Sequence, residues 1–147
     1  MHGIALLREP CFATLARNQG TKMVNSGDAF FKAFEQLICE HGFTIDRPKG
    51  TAHPRFPDLV YPINYGYINN TQSQDGEGID VFLGDNDGAG VVGILCSIDT
   101  VKKDSEVKVL YNCTEKNIQT ALKMMNNGPM RGILVRRRVK YSKHIPI

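Results

Sequence analysis

The stretch Asn64–Phe82, NYGYINNTQSQDGEGIDVF, decides how the rest of the chain is read. It opens on strand-forming aromatic residues and runs into Asp75-Gly-Glu-Gly-Ile-Asp80, three carboxylates in six residues. Carboxylates this close repel. Left bare, they raise their own pKa values and destabilise the fold, and a bound divalent cation reverses that penalty. Asp and Gly are also ordinary turn residues. Taken alone, DGEGID therefore reads as a turn that leads into a strand.

The surrounding sequence changes that reading. Asp99 and Asp104 repeat the five-residue spacing of Asp75 and Asp80, where the apolar run GVVGILCSID leaves into its next turn. If the two turns are neighbours, four carboxylates converge, with Glu77 between the first pair. Magnesium takes hard oxygen ligands and favours sites shared with phosphate. The spacing is not that of a calcium-binding EF-hand loop. Tyr61, Asn64, Tyr65, Tyr67 and Asn69 lie just upstream, and Lys49, His53, Arg55 and Lys108 supply candidate positive charge. Acids for a metal, together with cations and hydroxyl donors for anionic oxygens, are the equipment of phosphoryl chemistry.

The 147 residues suit one domain with a proper core. At 41% hydrophobic and 22% charged, the composition is that of a globular protein. No apolar run is long enough to span a membrane, and the expected location is cytoplasmic. Cys11, Cys39, Cys96 and Cys113 form no Cys-x-x-Cys pair and have no histidine at zinc-ligand spacing, so free thiols in a reducing compartment are expected. Residues 1–25 are low in acid and read as a poorly structured leader, with organelle targeting as the other reading. Residues 26–140 read as the single domain and 141–147 as a basic tail.

Phe30, Ala33, Phe34, Leu37, Ile38 and His41 recur at helical spacing, with Asn25 or Ser26 to start the helix and Gly42 to end it. Thr114 caps a second helix with an Ile118, Ala121, Leu122, Met125 stripe, closed by Gly128. Pro48, Pro54, Pro57 and Pro62 break the segment between into short β pieces. GIDVFLG, GAGVVGILCSID, SEVKVLYNC and MRGILVRRR read as strands, with GDNDGAG as a turn between the first two. This order predicts an α+β fold: a mainly antiparallel sheet or small barrel with helices against it.

YPINYGYINNTQSQDGEGIDVFLG resembles the signature of the soluble family I inorganic pyrophosphatases, Tyr-Pro-x-Asn-Tyr-Gly-Tyr-Ile followed by Asp-x-Asp-Pro-x-Asp. VGILCSIDTVKKDSEVKVL resembles their later metal-binding segment, and PKGT their Pro-Lys-Gly-Ser strand. The IDRPKG…HPRFPD pattern is similar to that of a short pyrophosphatase-like subgroup. The resemblance implies a five-stranded OB-like barrel with flanking helices and magnesium-dependent hydrolysis of pyrophosphate to two phosphates. It implies Asp75, Asp80, Asp99 and Asp104 as Mg2+ ligands. Glu77 or Asp80 would assist the attacking water and Tyr65 would orient it, while Lys49, Arg55 and Lys108 would hold phosphate. A homo-oligomer fits the family as well. Three departures stand out. Glu77 replaces the family's aspartate general base. The hairpin between PKGT and YPINYG is missing. KMMNNG, with Lys123, replaces a Tyr-Lys pair. They leave a second reading, a catalytically impaired protein that binds a metal–phosphate ligand or acts on another small phosphate compound. Nucleic-acid binding rests on RRRVKYSK alone, which lacks interleaved aromatics.

Overall fold

The computed structural model describes Ile4–Ala5 and residues 26–138. The expected tail over 141–147 lies outside the described residues, as does the leader over 1–25 apart from Ile4–Ala5. The elements run β1 (Ile4–Ala5), α1 (Ser26–His41), β2 (Phe43–Arg47), β3 (Asn64–Ile68), β4 (Asp80–Leu83), β5 (Val91–Asp99), β6 (Asp104–Tyr111), α2 (Glu115–Met124) and β7 (Met130–Arg136). They form one mixed sheet in the order β1-β2-β3-β4-β6-β5-β7. All pairings are antiparallel except β4 with β6, which is parallel.

Two expectations are corrected here. Among the described residues the sheet has seven strands and its edges β1 and β7 do not pair, so it is open and not a five-stranded OB-like barrel. Closure needs two edge ladders that meet, and β1 offers only two residues. Second, β4 and β5 are not hairpin neighbours across the GDNDGAG turn. The chain crosses over, and β6 lies between them. That parallel insertion positions the site described below.

The core divides between the two faces of the sheet. On one face Phe82, Leu95 and Leu110 pack with Ile63 against Ile118, Ala121 and Met125 of α2. On the other, Ile68, Val81, Ile94 and Val109 pack against Phe31 and Ile38 of α1. The buried stripe of α1 is turned from the expected one: Phe31 is buried, while Phe30 and Ala33 are exposed. The Arg137 guanidinium braces that rotation, since it donates to Asp28 and Glu35, two turns apart on the helix. Gly42, with φ of 70°, ends the helix as its N–H donates to the Ile38 carbonyl. Thr114 and Asn117 form a reciprocal capping box at the start of α2. Cys96 and Cys113 are free thiols as expected, whereas Cys39 is in a disulfide. No described helix is long and apolar enough to cross a membrane.

Gly66 is the tightest point of the sheet. A Cβ there would lie 1.8 Å from the Thr44 carbonyl oxygen of β2, a backbone atom that cannot move without parting the strands. Gly66→Ala is therefore expected to destabilise the fold by about 3 kcal/mol or more, read as a lower midpoint in urea unfolding. An unchanged midpoint would mean that β2 and β3 are not paired in this register.

Candidate active site

The register of the parallel pair sets Asp80, the first residue of β4, level with Lys108 of β6. Lys108 is only 4% exposed, and an ammonium so buried needs a partner for each of its three N–H groups. It has them. Nζ donates to Asp80 Oδ2 at 2.7 Å, to Glu106 Oε2 at 2.7 Å and to the Tyr65 hydroxyl at 2.9 Å. Burial pushes the Lys108 pKa down. Tyr65, Asp80 and Glu106 outweigh it and hold the ammonium above its ordinary value. Burial pushes the Tyr65 phenol up, so it stays neutral. Its ring packs on Phe82 and stacks on Tyr61.

Glu106 was not among the residues singled out from the sequence. It lies two residues from Lys108, and side chains two apart on a strand share a face. That alternation in DSEVK, read from Asp104 through Glu106 to Lys108, was the available signal. Asp75 reaches the same place from its loop and interacts with the Glu106 side chain. The N–H of Glu77 and the hydroxyl of Ser73 donate to Asp75 Oδ1 at 3.0 and 2.9 Å. These bonds, the Glu77 N–H first, hold the Asp75 carboxyl below its usual range. Glu77 itself is exposed.

Asp99 and Asp104 stand apart from this group. They pair across the β5–β6 turn, four residues before Lys108 and hence about 13 Å along the strand. Asp99 Oδ1 accepts the N–H groups of Val101 and Lys102, each at 2.9 Å, and so caps its own turn. Among the described residues no three acidic, histidine or cysteine side chains meet as a ready-made metal cage. The four-carboxylate convergence drawn from the sequence is not formed. The donors that do meet still suit magnesium, which is bound by one or two carboxylates together with waters and substrate phosphate. Lys108 occupies only one oxygen each of Asp80 and Glu106. Asp80, Glu106 and Asp75 would hold the ion.

Positive charge gathers on the neighbouring loop. Arg47, which the sequence reading passed over, donates to the Tyr61 hydroxyl and has its guanidinium 5.4 Å from the centre of that ring. His53 stacks on Tyr61, with centroids 6.1 Å apart. Burial and the nearby charges of Arg47, Lys102 and Arg55 push its pKa down. Lys49 and Arg55 are exposed. Only their backbone N–H groups are fixed, on Asn64 and His53. Lys123 lines a different place, a groove of about 550 Å³ with Leu59, Val60, Pro62 and Met124.

Lys108→Met leaves Asp80 and Glu106 facing each other without their counter-charge, and a loss of roughly 3 kcal/mol is expected. The sign with pH follows from the raised Lys108 pKa: its stabilisation is complete below 10.5, its unfolded value, and declines as alkali titrates the folded protein. The gap in unfolding free energy between native and Lys108→Met chains should be constant from pH 7 to 9 and narrow above about 10.5. A gap that widens in alkali contradicts the ion pairs.

Among curated proteins none matches. The chain is similar to an inorganic pyrophosphatase structure from Coxiella burnetii (17% identity, TM-score 0.38, covering 53% of this chain and 63% of that one). It is similar to an inorganic phosphatase structure from Anaplasma phagocytophilum (20%, 0.39, 53% and 62%). A third is the inorganic pyrophosphatase of Helicobacter pylori (13%, 0.39, 64% and 78%). The matched region thus spans less than two thirds of the first two proteins. The sequence pattern of one family, described as inorganic pyrophosphatase, matches residues 43–141, well over half of the chain. By that match the chain belongs to the inorganic pyrophosphatase family.

Proposed function

We propose that this protein hydrolyses phosphoanhydrides in the presence of magnesium, with inorganic pyrophosphate as the reference substrate. The observation that carries the reading is the cluster of Asp80, Glu106 and Tyr65 around the Lys108 ammonium, with Asp75 interacting with Glu106. When bound, a divalent cation supplies charge against phosphate oxygens and makes water more acidic. The chain's own residues do the rest. Asp80, Glu106 and Asp75 hold the positive end of the site. Arg47 and Arg55 neutralise phosphate oxygens, and Lys49 and Lys102 add charge at the rim. Lys108 keeps the carboxylates together and keeps Tyr65 aimed at them. Water attacks one phosphorus, the P–O–P bond breaks, and the second phosphate leaves on the bridging oxygen. The water's proton passes to a carboxylate, with exposed Glu77 and half-buried Asp80 as the two candidates. Asp99 and Asp104 remain in the proposal as carboxylates for an ion that arrives with substrate.

A non-catalytic metal–phosphate binder is the second reading. Glu77 in the aspartate position favours it, because the longer side chain displaces a carboxylate by about one methylene, and a shift on the order of 1 Å can cost about a hundredfold in rate.

Phosphate release from pyrophosphate with magnesium, manganese or zinc decides between the two. Glu106→Gln and Asp80→Asn are each expected to lower kcat/KM by about a hundredfold. Binding without release, seen by calorimetry across all three metals, would establish the second reading. Magnesium at 100 times its dissociation constant should stabilise the fold by about 2.7 kcal/mol, and a chelator should remove that gain. An unchanged melting curve in saturating metal would count against any ion at this site.

A further inference from the structure

The aromatic residues beside the site continue beyond what a bare pyrophosphate needs. Tyr65 stacks on Tyr61 with centroids 5.4 Å apart, Tyr61 on His53 at 6.1 Å, and His53 lies 5.1 Å from Phe56. The ladder begins at the hydroxyl that meets Lys108 and ends on Phe56, which is 61% exposed. A single exposed apolar side chain on a loose loop would carry no meaning. This loop is tied down. His53 Nδ1 accepts the backbone N–H groups of Arg55 and Phe56 at 3.0 and 3.3 Å. The His53 N–H donates to the Leu59 carbonyl, and the Leu59 N–H to that of Phe56. Ala52 and Val60 form a β-bridge across the base of the loop, and Pro54 and Pro57 flank its tip. The backbone that carries the Phe56 ring is thus held in place. Arg47 joins this ladder, donating to the Tyr61 hydroxyl with its guanidinium 5.4 Å from the centre of that ring.

An aromatic face outside, a cation on the ladder, and hydrolytic carboxylates within match a ligand built in the same order: an aromatic base, a phosphate, and a terminal phosphoanhydride. We propose that the site takes nucleoside diphosphates, with the base stacked on Phe56 and His53 and the terminal phosphate at the cluster of Asp80, Glu106 and Lys108. This rests on the hydrolase reading above and narrows its substrate class. The reaction consumes one water. Its oxygen bonds to the terminal phosphorus, the bond from that phosphorus to the bridging oxygen breaks, and nucleoside monophosphate, phosphate and one proton are released. Base–aromatic stacking tolerates any base, so the class is defined by the diphosphate and the π-face and not by base identity.

The test compares ADP with methyl diphosphate, which carries the same anhydride and no base, and uses pyrophosphate as reference, all with magnesium. ADP should be turned over with a kcat/KM at least tenfold above that of methyl diphosphate. Phe56→Ala should lower the ADP-to-pyrophosphate ratio of kcat/KM by about tenfold, the loss expected for one stack. Phe56→Trp should preserve or raise the ratio. Equal rates on ADP and methyl diphosphate, or a ratio unmoved by Phe56→Ala, overturn the proposal while hydrolysis of pyrophosphate keeps the broader reading intact. Should no substrate be hydrolysed, the broader reading fails, and calorimetry still decides this one. ADP should then bind at least tenfold more tightly than methyl diphosphate, with the difference lost in Phe56→Ala. Equal affinities sink it.

Discussion

A lysine ammonium buried inside a β-sheet is the constraint from which the rest of this structure follows. Removing such a charge from water costs several kcal/mol unless every N–H finds an oxygen. The partners come from three strands: Tyr65 of β3, Asp80 of β4 and Glu106 of β6 itself. Meeting that demand requires β4 to lie parallel to β6 with Asp80 and Lys108 in register. The crossover past the GDNDGAG turn delivers this arrangement. The same face of β6 then changes character along its length, from Asp104 and Glu106 near solvent, through Lys108, to Leu110 against α2. One side of one strand serves as charged site at its start and apolar core at its end.

The two acidic motifs share a further feature. In each, the first aspartate accepts the N–H of the residue two positions on: Asp75 from Glu77 and Asp99 from Val101. Aspartate favours turns because its side chain can stand in for a backbone carbonyl in this way. The repeated spacing is therefore a repeated turn geometry. The structural reading of DGEGID and the functional one are not exclusive, since Asp75 caps its turn with Oδ1 and still reaches Glu106. Asp99 makes no such second contact.

Both helices, the Gly42 stop, the Thr114 cap and the strands after residue 80 were legible in the sequence, because periodicity, capping residues and glycines act locally, whereas α2 ends at Met124, short of the expected Gly128. Asp80, Tyr65 and Lys108, each singled out from the sequence, are brought into contact by the fold. What local signals do not carry is strand order. A turn between GIDVFLG and GAGVVGILCSID reads as a hairpin, and nothing within either segment says that a third strand will separate them. The convergence of the Asp99–Asp104 turn with the Asp75–Asp80 turn was conditional on their being neighbours, which strand order decides. Glu106 went unnoticed because the five-residue spacing drew attention, whereas position two before Lys108 is what shares its face. Arg47 carries the same charge as Lys49 and Arg55, which follow it in the chain, so charge alone does not distinguish it. Only the contact with the Tyr61 hydroxyl sets it apart. The rotation of α1 is braced by Arg137, more than a hundred residues away.

The crowding of carboxylates first suggested that a cation must offset their repulsion. The structure offers a different account of the same charges. Lys108 supplies a covalently tethered positive charge at 2.7 Å from both Asp80 and Glu106, so the acids are compensated by the chain itself. Each carboxylate has about four lone-pair sites, and the lysine uses one oxygen of each. Beside it Tyr65 interacts with Asp80, and Asp75 with Glu106. A domain whose ligands gather only around their metal folds with it and unfolds without it. Here Lys108 does the gathering, so the arrangement of these acids does not depend on a metal.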